Sequence, residues 1–247
     1  MNLPVVCGDR SNAGRRVFCR MSAVANAAAT MLGIAPVTSL IAGFALLLQM
    51  FPELQPAAEF RFADLCVTGI WRLATSHLLH WSWDHFFWDT IVLIVAGAFC
   101  EVRWPRRFQR VLLTAILIIP VAVMISVPHL LCYRGLSGLD SALFALAASS
   151  VLIEEVRAGR KQAALAAAVV VAAQFLKIGL ESAAEHTLFV QDAPFIPVPL
   201  SHLCGAVIGS LGAACGVRGQ GLKVASTDTE KENGDPLNEG PPLIVRG

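Results

Sequence analysis

Charge is what this sequence has least of: Asp, Glu, Lys and Arg make up 15% of its 247 residues, against about 25% in soluble domains. That shortage, with 55% hydrophobic residues and a mean hydropathy of +0.63, leaves too little polar surface to wrap a water-soluble core of this size. The seven cysteines, at 7, 19, 66, 100, 132, 204 and 215, include no C-x-x-C pair, which argues against a structural zinc site. No H-E-x-x-H occurs, and six histidines are too few for a histidine-rich di-iron membrane oxygenase. A metal or haem protein built on His77, His80 and His85 is therefore the weaker reading, and neither a metal nor another cofactor is expected. No nucleic-acid partner is expected either. Of the cysteines, only Cys66 and Cys132 fall in outer segments, and no essential disulfide is expected.

What is present is a series of apolar runs: Met21 to Pro52, Trp81 to Cys100, Val111 to Tyr133, Gly135 to Ile153, Gln162 to Leu176 and Ala193 to Val217. A bilayer-spanning helix takes about 20 such residues, so the chain predicts an all-α membrane protein of six transmembrane helices. The basic residues orient it. With the amino terminus cytoplasmic, fifteen of the nineteen lie inside, and only Arg61, Arg72, Arg134 and Lys177 lie outside. Both termini are then cytoplasmic. Three segments follow: a basic amino-terminal segment over 1–29, a membrane domain over 30–217 and a disordered tail over 218–247. Arg15-Arg16-Val17-Phe18 is similar to a twin-arginine export signal, but inside anchoring explains the same charges, and Met21 is as good a start as Met1.

Two polar residues stand where they are costly. Ser137, in Tyr133-Arg134-Gly135-Leu136-Ser137-Gly138, opens the fourth run, and His202 opens the last. Alone, each has a bland explanation, as a small packing residue and an interfacial ring. Together they read as a nucleophile and its base. Around the start of the second run His77, His80, Asp84, His85 and Asp89 come within thirteen residues and, if all helical, cover about half the circumference. His85 and Asp89 are an i, i+4 pair. Trp71, Trp81, Trp83 and Trp88 suit a membrane–water interface, His77 is expected at the same interface, and Asp84 caps or solvates the helix entry. Asp140 lines the cavity or bonds the second helix, without a catalytic role; His129 and His186 are expected to be solvated. The orientation puts the second-run histidines, Ser137 and His202 at one level, near the outer face. Gly205 and Gly209, spaced as small-xxx-small, suit close approach of the sixth helix to the fourth.

In these residues the chain resembles the rhomboid intramembrane serine proteases over about 30 to 217. Gly135-Leu136-Ser137-Gly138 fits the family's G-x-S-G, and His202-Leu203-Cys204-Gly205 with Gly209 fits its sixth-helix histidine and small residues. Trp71-Arg72 is similar to the pair in the first outer loop, and His80 with His85 matches the second-helix pattern. The compact six-helix form and the Leu-Ser-Gly context look most like the rhombosortase branch, which is associated with trimming Gly-Gly-type carboxy-terminal anchors from exported proteins. The resemblance implies a serine-type endopeptidase of a bacterial inner membrane that acts on transmembrane protein substrates in the lipid bilayer. Ser137 and His202 would be its dyad, with support from His80, His85, Asp89 and Gly135; the oligomeric state stays open.

Two departures from the family pattern stand out. Asp89 replaces a common asparagine, and it donates to an oxyanion only if it is held protonated. Ser141 stands where many rhomboids place a tyrosine against the histidine, while Tyr133, the only tyrosine, precedes Ser137, so the sequence names nothing that orients His202. These departures motivate an alternative: a catalytically inactive rhomboid-like protein that binds transmembrane helices.

Overall fold

The computed structural model describes residues 30–61, 69–127, 130–184 and 199–230, with side chains to residue 215. A long helix occupies each of the six apolar runs. The first is α1 (Pro36–Met50), followed after a 3-10 turn, Pro52–Leu54, by the short α2 (Gln55–Ala58). Ahead of the second run come α3 (Arg72–Thr75) and a 3-10 turn, Ser76–Leu78; the run itself holds α4 (Trp83–Val92), a π-helical turn, Leu93–Gly97, and α5 (Ala98–Arg103). Then come α6 (Pro105–Ser126), α7 (Ser137–Arg157), α8 (Lys161–Ala184) and α9 (Pro199–Glu230). Prolines open α1, α6 and α9, where the missing N–H would have no helical partner and the fixed φ already suits a helix.

Trp83–Arg103, Pro105–Ser126 and Lys161–Ala183 are each long and apolar enough to cross a membrane, and α1 with Pro52–Ala58 makes a fourth if that pair, bent by 99°, is one span. α7 is long enough but carries Asp140, Glu154, Glu155 and Arg157, and Pro199–Cys215 is apolar but shorter. The tail boundary expected at residue 218 falls inside α9, which continues to Glu230. Extending an existing helix needs no new nucleus, and no proline interrupts residues 218–230. Residues 1–29 and 231–247, with both candidate starts and the arginine pair, lie outside the described residues.

α7 is the centre of the bundle. Leu139, Ala142, Leu143 and Leu146 on it are buried among Ile119 and Ala115 of α6, Leu93 and Cys100 of the second run, and Ala213 of α9. Where α5 meets α6, Trp104 Nε1 donates to Glu154 Oε1 at 2.9 Å, which ties that corner to α7. Glu101 reaches back to cap α1, accepting from the Val37 and Thr38 N–H groups at 2.9 and 2.8 Å and from Thr38 Oγ1 at 2.8 Å.

The most intimate contact is between α7 and α9. A Cβ on Gly205 would stand 2.1 Å from the Gly138 carbonyl oxygen, and one on Gly209 would stand 2.0 Å from that of Ala142. Only glycine allows backbones this close, and the spacing of one helical turn makes the two contacts a continuous seam. At the opposite end, β1 (Phe60–Arg61) pairs antiparallel with β2 (Cys132–Tyr133), Phe60 opposite Tyr133. That small sheet clips the segment after α2 to the segment that leads into Ser137.

Candidate active site

Ser137 is the first residue of α7, so its N–H and those of Gly138 and Leu139 have no partner within the helix. Gly135, just before it, takes φ +126°, a conformation that side chains rarely adopt, and donates its N–H to the Ser76 carbonyl at 3.1 Å. The space above Gly135 is where the site converges. A Cβ there would lie 3.5 Å from His85 Cε1, 3.9 Å from His85 Nε2 and 3.7 Å from Ser137 Oγ. The His85 ring and the Ser137 hydroxyl therefore face the same small volume. Ser137 and His202 are both half-buried, neither sealed from water nor fully open to it.

The second run is arranged differently from its predicted single helix. His77 lies in the 3-10 turn and His80 in the link after it; α4 begins only at Trp83, because Ser82 turns extended and its Oγ accepts the His85 N–H at 3.1 Å. Of the five polar residues, only Asp84, His85 and Asp89 are on α4. Asp84 is exposed in its first turn, as the entry reading requires. His77 is not interfacial. It is fully buried, with its ring edge-on to Tyr133 at 5.3 Å and Nε2 3.4 Å from the Ile116 carbonyl oxygen, because the 3-10 turn points it inward under the sheet. The tryptophans fit the interfacial reading better: Trp71, Trp81, Trp83 and Trp88 are all exposed.

His80 and His85 meet edge to face at 5.3 Å, and Asp89 Oδ2 lies between them, 3.2 Å from His85 Nε2 and 3.4 Å from His80 Nε2. All three are buried. A ring nitrogen donates or accepts according to its tautomer, so the tautomers of His80 and His85 decide whether this oxygen accepts or donates. Asp140, one turn into α7, is also buried, and neither of its oxygens has a hydrogen-bond partner.

His202 sits in the first turn of α9, one turn before Gly205. It shares an end of the α7–α9 seam with Ser137, although no hydrogen bond joins the two among the described residues. Its Nδ1 instead lies 3.2 Å from Glu181 Oε2, in the last turn of α8. Glu181 is 1% exposed, and Lys177 Nζ lies 2.7 Å from each of its oxygens. Sequence reasoning missed Glu181. The available signal was a Lys–Glu pair at i, i+4 near the outer end of the fifth run, at the level assigned to Ser137 and His202. Tyr133, which the sequence placed on the wrong side of Ser137, stays within the turn that leads to it: its hydroxyl donates to the Gly135 carbonyl at 3.4 Å. Ser141 supports the site only indirectly, its carbonyl accepting from Gln174 Nε2 of α8 at 2.9 Å.

Three of the four basic residues assigned to the outer side are matched by buried carboxylates. Arg134 donates to Glu59 through Nε at 2.9 Å and through Nη2, and to Gln55 Oε1 at 3.0 Å, while its guanidinium lies over the Trp81 ring at 4.5 Å. Arg61 donates to the other oxygen of Glu59. Burial pushes the Glu59 carboxyl up, but the hydrogen bonds and charges of the two arginines outweigh it and hold its pKa below the usual carboxylate range. Lys177 is paired with Glu181. No group of three or more potential metal ligands occurs among the described residues. His129, His186 and Cys66 lie outside the described residues.

A search of curated proteins finds no match. The model of the Rhomboid domain matches residues 67–219, from the turn before α3 into α9, which is more than half of the chain and includes every element that meets at Ser137. The chain therefore belongs to the rhomboid family of intramembrane serine proteases.

Proposed function

We propose that the protein is an intramembrane serine endopeptidase in which Ser137 is the nucleophile and His202 its base. The observation that carries this reading is the α7–α9 seam: Gly205 against the Gly138 carbonyl sets the first turn of α9, with His202, beside the turn that holds Ser137. Ser137 Oγ attacks a peptide carbonyl as its proton passes to His202 Nε2, and the same proton later goes to the leaving amine. The oxyanion is met by the N–H groups of the first turn of α7 and by His85, each such donor being worth about 2.7–4 kcal/mol in the transition state. Gly135 keeps the space above the hydroxyl open for the substrate carbonyl. His80 and Asp89 fix the His85 ring from behind.

In this reading six helices cross a bacterial inner membrane with both termini cytoplasmic, and cleavage occurs near the outer face. The bilayer holds transmembrane protein substrates, among them exported proteins with Gly-Gly-type carboxy-terminal anchors. The membrane domain extends over 30–217, flanked by a basic segment and a tail. Labelling the purified protein with a fluorophosphonate tests the assignment: wild type should label and Ser137→Ala should not. Equal labelling of both removes Ser137 as nucleophile, and absence of labelling in both favours the inactive, helix-binding alternative.

A further inference from the structure

We propose that Glu181 is the positioning residue for His202, so that the working site is a triad of Ser137, His202 and Glu181 drawn from α7, α9 and α8. The inference rests on the assignment of Ser137 and His202 as nucleophile and base. Glu181 Oε2 stands 3.2 Å from His202 Nδ1 on a side chain with almost no exposure. A carboxylate there takes the Nδ1 proton as a hydrogen bond, fixes that tautomer and leaves the Nε2 lone pair for the Ser137 hydroxyl. It also stabilises the imidazolium that forms as the serine attacks. In that step the Ser137 proton moves to Nε2, the Nδ1 proton stays on the ring and Glu181 stays ionised throughout.

A buried carboxylate needs compensation, and Lys177, one turn earlier on the same helix, supplies it with Nζ at 2.7 Å from both oxygens. Gln174, two turns earlier on α8, bonds the Ser141 carbonyl of α7 at 2.9 Å and so fixes the distance from α8 to the nucleophile helix. The tyrosine that the family resemblance places at position 141 is replaced by serine, and orientation of the histidine passes to another helix.

The test compares Glu181→Gln with wild type in full-length protein, using a membrane-embedded peptide substrate and fluorophosphonate inactivation. The amide keeps the shape but not the charge, so kcat and the inactivation rate should fall about 100-fold with KM unchanged. Wild-type kcat in a folded Glu181→Gln protein overturns the proposal, as does a loss confined to KM. As a second measurement, made on wild type and not on Glu181→Gln, 15N spectra of histidine-labelled protein, assigned by the signals lost in His202→Ala, should show the neutral ring protonated on Nδ1. Protonation on Nε2 overturns it. The two readings fail separately: Ser137→Ala that still labels removes the nucleophile, whereas Ser137→Ala that does not label, beside a fully active Glu181→Gln, removes only the triad.

Discussion

Adding one methyl group at Gly209 should disable the site from about two helical turns away. The Cβ of Gly209→Ala would lie 2.0 Å from the Ala142 carbonyl oxygen, 2.9 Å from its carbon and 2.9 Å from the Leu146 nitrogen. All three are backbone atoms, so no side chain can rotate to make room. Real Cβ contacts stop at about 3.0 Å, which requires α9 to retreat from α7 by about 1 Å (3.0 − 2.0). Alanine recovers about 1 kcal/mol of helix propensity, against about 1–3 kcal/mol for overpacking a tight interface. Stability should therefore fall by up to about 2 kcal/mol. Activity should fall further, because a misplacement of about 1 Å between nucleophile and base costs about 100-fold. The assay is kcat on a transmembrane substrate in proteoliposomes, with the thermal unfolding midpoint measured on the same preparation. Gly179→Ala on α8 is the control: nothing lies within 4 Å of its Cβ, so it should gain up to about 1 kcal/mol and keep its activity. Wild-type kcat and midpoint in Gly209→Ala would refute the argument that the seam sets the dyad.

Two further outcomes follow from the polar clusters. Asp89→Asn keeps the shape but puts an amide between two imidazole nitrogens, at 3.2 and 3.4 Å, so kcat should drop about tenfold if the carboxylate is what orients His85; unchanged activity at neutral pH would instead mark a protonated Asp89 that donates to the oxyanion. Glu59 has a folded-state pKa below its ordinary 4.5, so its contribution is present above that value and is lost as the pH falls through the lowered one. The midpoint difference between wild type and Glu59→Gln should accordingly be constant from about pH 7 to 5 and shrink below about 4.5; a difference that ignores pH would mean that the arginines hold the outer clip without that charge.

Much of this arrangement was legible in the sequence, and what was not has physical reasons. Apolar runs located the helices because lipid demands them. The glycine spacing at 205 and 209 foretold the close approach, since only small residues permit it. The second run misled because a 100° wheel assumes one unbroken helix, and Ser82, a strong cap residue, starts that helix after His77 and His80. Glu181 escaped notice because its partner is 21 residues away on another helix, and no local period relates them. The pairing of Glu59 with Arg134 spans 75 residues and escaped for the same reason.

The π-helical turn Leu93–Gly97 separates two tasks along one span. On one side of it, His85 faces the nucleophile with Asp89 beside its ring; on the other, Cys100 Sγ donates to the Leu143 carbonyl and Glu101 caps α1. A wide turn holds one residue more than an α turn. Because that turn already absorbs one extra residue, deleting one between 93 and 97 would return it to an α turn with the two halves in nearly the same relative phase, whereas a deletion in α4 or α5 would rotate them apart by about 100°. Chemistry and anchoring thus keep their relative aim across the loss of that one residue, and only the local widening of the span goes with it.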